Sequence, residues 1–165
     1  MSTKTTRRCW MRLRAIPPIP FWIWVVGPAE TYATSDHWAT TSWAWTGSTE
    51  FVAMARSYSE CEVLQQDFLA MKLPESRFDG IFANASLFHV PSQELPRVLA
   101  ELSETLRSRG VLFCSNPREN NEEGLSGDRY SCFFDHDTWR DYVTAAGFFQ
   151  VRHYYRPPGL PRHKQ

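Results

Sequence analysis

From Gly47 to Tyr155 short apolar runs alternate with stretches of helical periodicity, and that alternation constrains the fold more than any other feature. Ser48 stands as an N-cap, followed by Phe51, Val52 and Ala55 on one helical face. Cys61 to Gln66 reads as a short strand. Phe78 to Ala83 reads as a buried strand closed by a polar turn at Asn84 to Ser86. Leu95, Val98, Leu99, Leu102 and Leu106 repeat at helical spacing, Gly110 ends that helix, and Val111 to Cys114 forms the next strand. Asp137 begins another helix with Trp139, Tyr142, Val143 and Ala146 inward, Gly147 stops it, and Phe148 to Tyr155 is extended. Strands alternating with helices of about 10–15 residues predict βαβ units and an α/β fold, a mostly parallel sheet with flanking helices.

The 165 residues give room for one domain. Lys plus Arg number 18 and Asp plus Glu 18, so no basic excess points to a nucleic-acid partner. Four cysteines lack metal-type spacing and read as buried thiols of a reducing compartment; no metal site is expected. The apolar run Phe21 to Val26 is far short of the ~20 residues a membrane span needs, and prolines flank it. With no export signal recognised, the expectation is a cytoplasmic protein without a membrane partner. Asn116 to Arg129 is a long polar connection with two readings, a lid over a substrate or a plain surface loop.

Several short motifs stand in a telling order. Gly47-Ser48 precedes Met54-Ala55-Arg56. Gln66-Asp67-Phe68 precedes Leu73-Pro74. Phe78-Asp79-Gly80-Ile81 leads to Leu87, His89 and Val90. Leu106 to Gly110 forms a turn, and Ala146-Gly147-Phe148 ends a helix. In this order the segment from about residue 47 to 160 resembles a class I S-adenosylmethionine (SAM) dependent methyltransferase of the type 11 kind, which is Rossmann-like. The resemblance divides the chain into an atypical Trp-rich segment 1–46, a methyltransferase-like domain 47–160 and a tail 161–165. It implies SAM as cofactor and a small-molecule methyl acceptor. It implies that Asp67 accepts from the adenine amine and Phe68 covers the ring, a carboxylate and an apolar face suiting those tasks. Asp67 also reads as a turn cap and Phe68 as a core aromatic. By the same resemblance Asn84, Ala85 and Ser86 face the sulfonium and the acceptor at a strand's carboxyl end. His89 is either a general base that orients the substrate or a structural histidine bracing the turn before Pro91. Arg129 and Tyr130 are substrate-contact candidates or surface residues.

Two parts of that pattern are missing. The resemblance calls for a glycine-rich turn of the LDLGCGxG type after the first strand, where only Gly admits close backbone approach. It also calls for an acid at the end of the second strand to take the ribose hydroxyls. Here Phe21 to Pro28 reads FWIWVVGP, with Gly27 alone available, and Trp45-Thr46 stand where the acid belongs. Both motifs reappear when the codons are read two bases later. Trp is always TGG, so Phe21 to Ile23 must then spell Leu-Asp, and Trp24-Val25 must spell Gly. The hidden string is compatible with LDLGCGP. The same shift makes His37 to Ala39 read Leu-Gly and Trp43 to Thr46 read apolar-Gly-apolar-Asp, abutting Gly47-Ser48. It also accounts for six of seven tryptophans lying between Trp10 and Trp45. Residues up to about 46 are therefore read as out of frame with a methyltransferase ancestor. SAM binding by the chain as written is expected to be weak or absent, with a non-catalytic remnant as the alternative. The far end, YYRPPGLPRHKQ, reads as short of a last strand. Resequencing the coding DNA across codons 15–47 checks the frame. The shift is either a sequencing error, which a new read corrects to LDLGCGP, or a real frameshift; an unambiguous read of the present frame, with relatives sharing FWIWVVGP, defeats the reading.

Overall fold

A computed structural model describes residues 22–30, 39–58 and 62–155. In chain order the elements are β1 (Trp22–Glu30), β2 (Ala39–Thr46), α1 (Thr49–Tyr58), β3 (Glu62–Gln65), a 3-10 turn (Phe68–Ala70), β4 (Phe78–Asn84), a second 3-10 turn (Leu87–His89), α2 (Leu95–Thr105), β5 (Leu106–Ser115), β6 (Glu122–Ser126), β7 (Arg129–Phe133) and α3 (His136–Ala145). The first five strands form one sheet in the order β3-β2-β1-β4-β5, and β6 and β7 form a separate ribbon. This is the strand order of the doubly wound α/β fold.

The direction of β1 departs from that fold. β2 runs parallel to β3 and β4 parallel to β5, while β1 lies antiparallel to both β2 and β4. The central slot is filled, but by a strand that points the wrong way. The cause lies in the connection. Only residues 31–38 separate β1 from β2, and a parallel crossover takes a dozen residues or more, whereas an antiparallel pair closes with a short loop. The ladder slips between Val26 and Ala29, where Pro28 has no N–H to give it.

Helices cover both faces. α2 presents Leu95, Val98, Leu99 and Leu102, all fully buried, to Trp45, Phe78, Ile81 and Ala83 of the sheet. α3 adds Trp139, Tyr142, Val143 and Ala146 to that core, the face its periodicity predicts. On the other face α1 packs Val52 and Ala55 on Ala44 and Val63. Ser48 caps α1, its Oγ accepting from the Phe51 N–H at 3.3 Å.

Four expectations need correction. α2 ends at Thr105, not Gly110. β5 starts at once, and residues 107–110 bulge out opposite Asp79, between the pairs Phe78–Leu106 and Gly80–Val111. Ladder pairing at Leu106 wins over the helical spacing there. Residues 116–129 are not one loop: their second half is β6, joined to β7 through Gly127-Asp128, with Gly127 at φ +61. That dipeptide is a hairpin signal, hidden by the weak strand composition of EEGLS. α3 is capped by Asp135, whose carboxylate accepts from the Thr138 N–H at 2.8 Å; Asp137 lies in its first turn. Phe148 to Tyr155 joins no strand, and Phe149 and Val151 are exposed. Among the described residues no strand lies beyond β5 for it to pair with.

The bulge is sterically demanding. A Cβ on Gly110 would stand 2.9 Å from the Arg107 carbonyl oxygen and from Leu106 Cβ. Its neighbour Arg109 sits at φ +69, a left-handed conformation that favours glycine. Urea unfolding should therefore separate the two positions. Gly110→Ala is expected to lower stability by about 1–3 kcal/mol through overpacking. Arg109→Gly is expected to raise it by up to about 1 kcal/mol, relieved strand strain exceeding the added chain entropy.

Candidate functional site

β2, β3, β4 and β5 all end on one rim of the sheet, at Thr46, Gln65, Asn84 and Ser115. Open α/β sheets bind ligands at such a rim. β3 delivers Asp67, which caps the 3-10 turn by accepting from the Leu69 N–H at 2.9 Å. Its carboxylate is otherwise exposed to solvent. Phe68 is half-buried against the core, and its carbonyl accepts from Arg97 Nη2 at 3.1 Å, which ties this turn to α2.

β4 delivers Asn84, Ala85 and Ser86. Ser115 Oγ donates to Asn84 Oδ1 at 2.7 Å and accepts from the Ala85 N–H at 3.1 Å, so the exits of β4 and β5 are bonded together. Ala85 is held at φ +51, a strained conformation of the kind concentrated at functional sites. Ser86 is buried, and its Oγ has no hydrogen-bond partner among the described residues. Asn116 Oδ1, just past β5, is in the same state. Buried polar atoms are nearly always paired, so these two mark polar capacity that a ligand could take up. The sequence reading missed Ser115 and Asn116, whose contacts are made across strands. Asp67 and Ser86 share the rim, separated by three strand spacings, or about 14 Å.

The donor-side wall is different. Thr46 is buried at the end of β2, and its Oγ1 accepts from the Ser48 N–H at 3.3 Å. No acid stands there. Because β1 is inverted, Gly27 follows Val26, which pairs with Gly80, at the rim opposite Asn84. The residues present fit an amine donor at Asp67 and a polar ligand at Ser86. They do not fit a ribose and amino-acid end at the exits of β1 and β2.

His89 is half-buried, with Nδ1 2.7 Å from the Tyr130 carbonyl oxygen on β7. A carbonyl only accepts, so Nδ1 carries the proton and Nε2 is the basic nitrogen. Burial, then the charge of Arg129, pushes the imidazole below its ordinary pKa. Phe88 packs on the ring at 4.0 Å and on Phe133 of the hairpin at 5.6 Å. The fold thus brings His89, Arg129 and Tyr130 into one corner beside Asn84 to Ser86.

The profile of the methyltransferase domain matches residues 26–114, more than half of the chain. The chain belongs to this methyltransferase family. The match covers β2, β3, β4 and β5 up to Cys114, and with them the rim residues Thr46, Gln65 and Asn84 to Ser86. Similar solved structures include 1,6-didemethyltoxoflavin-N1-methyltransferase of Burkholderia thailandensis, crystallised with 1,6-didemethyltoxoflavin and S-adenosylhomocysteine (22% identity, TM-score 0.51, 63% of this chain and 48% of that one). A SAM-dependent methyltransferase of Leishmania major gives 11% identity and TM-score 0.61 over 72% of this chain and 49% of that one. One from Mesorhizobium loti gives 14% and 0.55 over 66% and 64%. At these identities the likeness is one of fold. The chain spans about half the length of the first two. Comparison with curated protein sequences finds no match. Among the described residues no helix is long and apolar enough to cross a membrane.

The lowered basicity of His89 has a definite sign. Its folded pKa lies below the ordinary 6.5, so its contribution to stability is complete above that pH and is lost as pH falls through the folded value. The urea midpoint is expected to fall between pH 7 and pH 5, and less steeply in His89→Gln. An equal slope in both proteins would show that His89 is not held neutral.

Proposed function

We propose that this chain derives from an enzyme that transfers the methyl group of SAM to a small molecule, and that as written it binds SAM weakly or not at all. What supports the reading is the direction of β1. The adenine-side residues Asp67 and Phe68 and the acceptor-side residues Asn84, Ala85, Ser86 and His89 share one rim. The turn that should embrace the cofactor's amino-acid end leaves the sheet at the other. SAM supplies an activated methyl on a sulfonium, so a methyltransferase mainly positions and desolvates its reactants. In the intact enzyme Asp67 would take the adenine amine, Phe68 the ring face, and Arg129 and Tyr130 the acceptor, with His89 as its base. A small-molecule acceptor agrees with the balanced charge of the chain and with the ligand bound in the Burkholderia enzyme.

The loss is large. Hydrogen bonds to charged groups contribute about 1.5–3 kcal/mol each. Two of them amount to roughly a hundredfold to ten-thousandfold in affinity. Isothermal titration with S-adenosylhomocysteine checks this on two proteins, the present chain and one with residues 22–46 replaced by the hidden reading. Binding by the restored chain alone is expected, weakened when Asp67 becomes Ala. Tight binding by the present chain overturns the impairment. No binding by either leaves the non-catalytic remnant.

A further inference from the structure

The β6–β7 hairpin packs on the 3-10 turn that carries His89, and one side chain fastens it there. Glu123 Oε1 accepts from the Ser92 N–H at 3.0 Å, thirty-one residues away. Across the ribbon Glu123 pairs with Cys132, which is buried. Burial and the neighbouring carboxylate push that thiol up to about 12, so it stays protonated, and its Sγ donates to the Tyr130 hydroxyl at 3.7 Å. Burial opposes ionisation of Glu123, but its bonds from Ser92 outweigh this and hold it below the usual carboxylate range. Glu123 is therefore an anion at neutral pH, and a charged acceptor makes the stronger kind of hydrogen bond. Two residues before Glu123's partner in the ribbon lies Tyr130, whose carbonyl takes the His89 Nδ1–H.

We propose that Glu123 is a positioning residue: by pinning the hairpin to the Pro91-Ser92 turn it holds the Tyr130 carbonyl on His89 and fixes the ring as the Nδ1–H tautomer, with Nε2 as its base. The proposal rests on the reading of His89 as the acceptor-side base. The hairpin is then neither a lid nor a plain loop but the support of that histidine. Its neighbours in sequence, Phe88 and Val90, are apolar and offer no side-chain acceptor.

Imidazole nitrogen NMR on the cofactor-free chain reads the tautomer directly. In the unchanged protein the Nδ1–H form should exceed the other by about tenfold, the effect of one hydrogen bond of ordinary net strength. Glu123→Ala should abolish the excess and move the His89 titration up toward 6.5. Glu123→Gln, whose amide oxygen still accepts, should keep it. Ser92→Pro removes both the partner N–H and the Ser92 hydroxyl that bond Glu123, and proline fits this first central position of the turn that Glu94 N–H closes on the Pro91 carbonyl at 2.9 Å. It should reproduce Glu123→Ala with the hairpin's own sequence intact. An Nε2–H tautomer in the unchanged protein overturns the proposal. So does a tautomer that survives either Glu123→Ala or Ser92→Pro. In the chain with residues 22–46 restored, Glu123→Ala should shift the acid limb of the kcat profile to higher pH. If that chain has no turnover while the tautomer responds as stated, the enzymatic reading fails and the positioning stands.

Discussion

The length of the link between β1 and β2 governs the rest of this structure. A strand at the centre of a sheet must satisfy ladders on both of its edges, and Trp22–Glu30 does so against β2 and β4. Eight residues cannot carry the chain back along the sheet for a parallel return, so the central strand is reversed. Reversal costs the sheet little, since antiparallel pairing is at least as stable as parallel. Every parallel strand brings its exit to one rim, and β1 carries its exit to the other. On the proposed reading, that is the exit at which the cofactor's amino-acid end would sit.

The remaining rim is built by cooperation between distant segments. Ser115 on β5 braces Asn84 and Ala85 on β4, and Arg97 on α2 holds the turn that follows Asp67. The hairpin does the same for His89. In each case a backbone group is held by a partner far along the chain, so geometry at the rim depends on the sheet and α2 being in place. That scaffold is complete, with a dense core between α2 and β4. The buried Ser86 Oγ and Asn116 Oδ1 lie on this well-supported side. The β4 and β5 side of the rim is thus fully braced, while the exit of β1 lies on the opposite rim.

How much was legible beforehand follows physical range. α1, α2 and α3 were visible because amphipathic spacing is local, as is the Ser48 cap of α1. The end of α2 was misplaced because Leu106 satisfies the helical period and yet pairs with Phe78; the ladder is a nonlocal bond that the period cannot see. The hairpin went unread because EEGLS has no strand character of its own and borrows order from β7. Phe148 to Tyr155 has strand character but no neighbour, and composition without a partner makes no sheet. Among candidate site residues, the places of Asp67, Phe68 and Asn84 to Ser86 at strand exits were locatable from motif order, whereas those of Ser115, Asn116 and Glu123 were not, since their settings are made across strands.

By itself the sequence determined the alternation of elements, the helical faces that meet the sheet and the order of the motifs, because each depends on residues within a turn or two of one another. It also determined that no acid closes β2 and that Gly27 is alone. Tertiary structure decided the direction of β1, the bulge at residues 107–110 and the grip of Tyr130 on His89, forty-one residues apart. Those are settled by pairing between segments, where the geometry of the partner and the length of the connection, rather than the residue's own preference, fix the outcome.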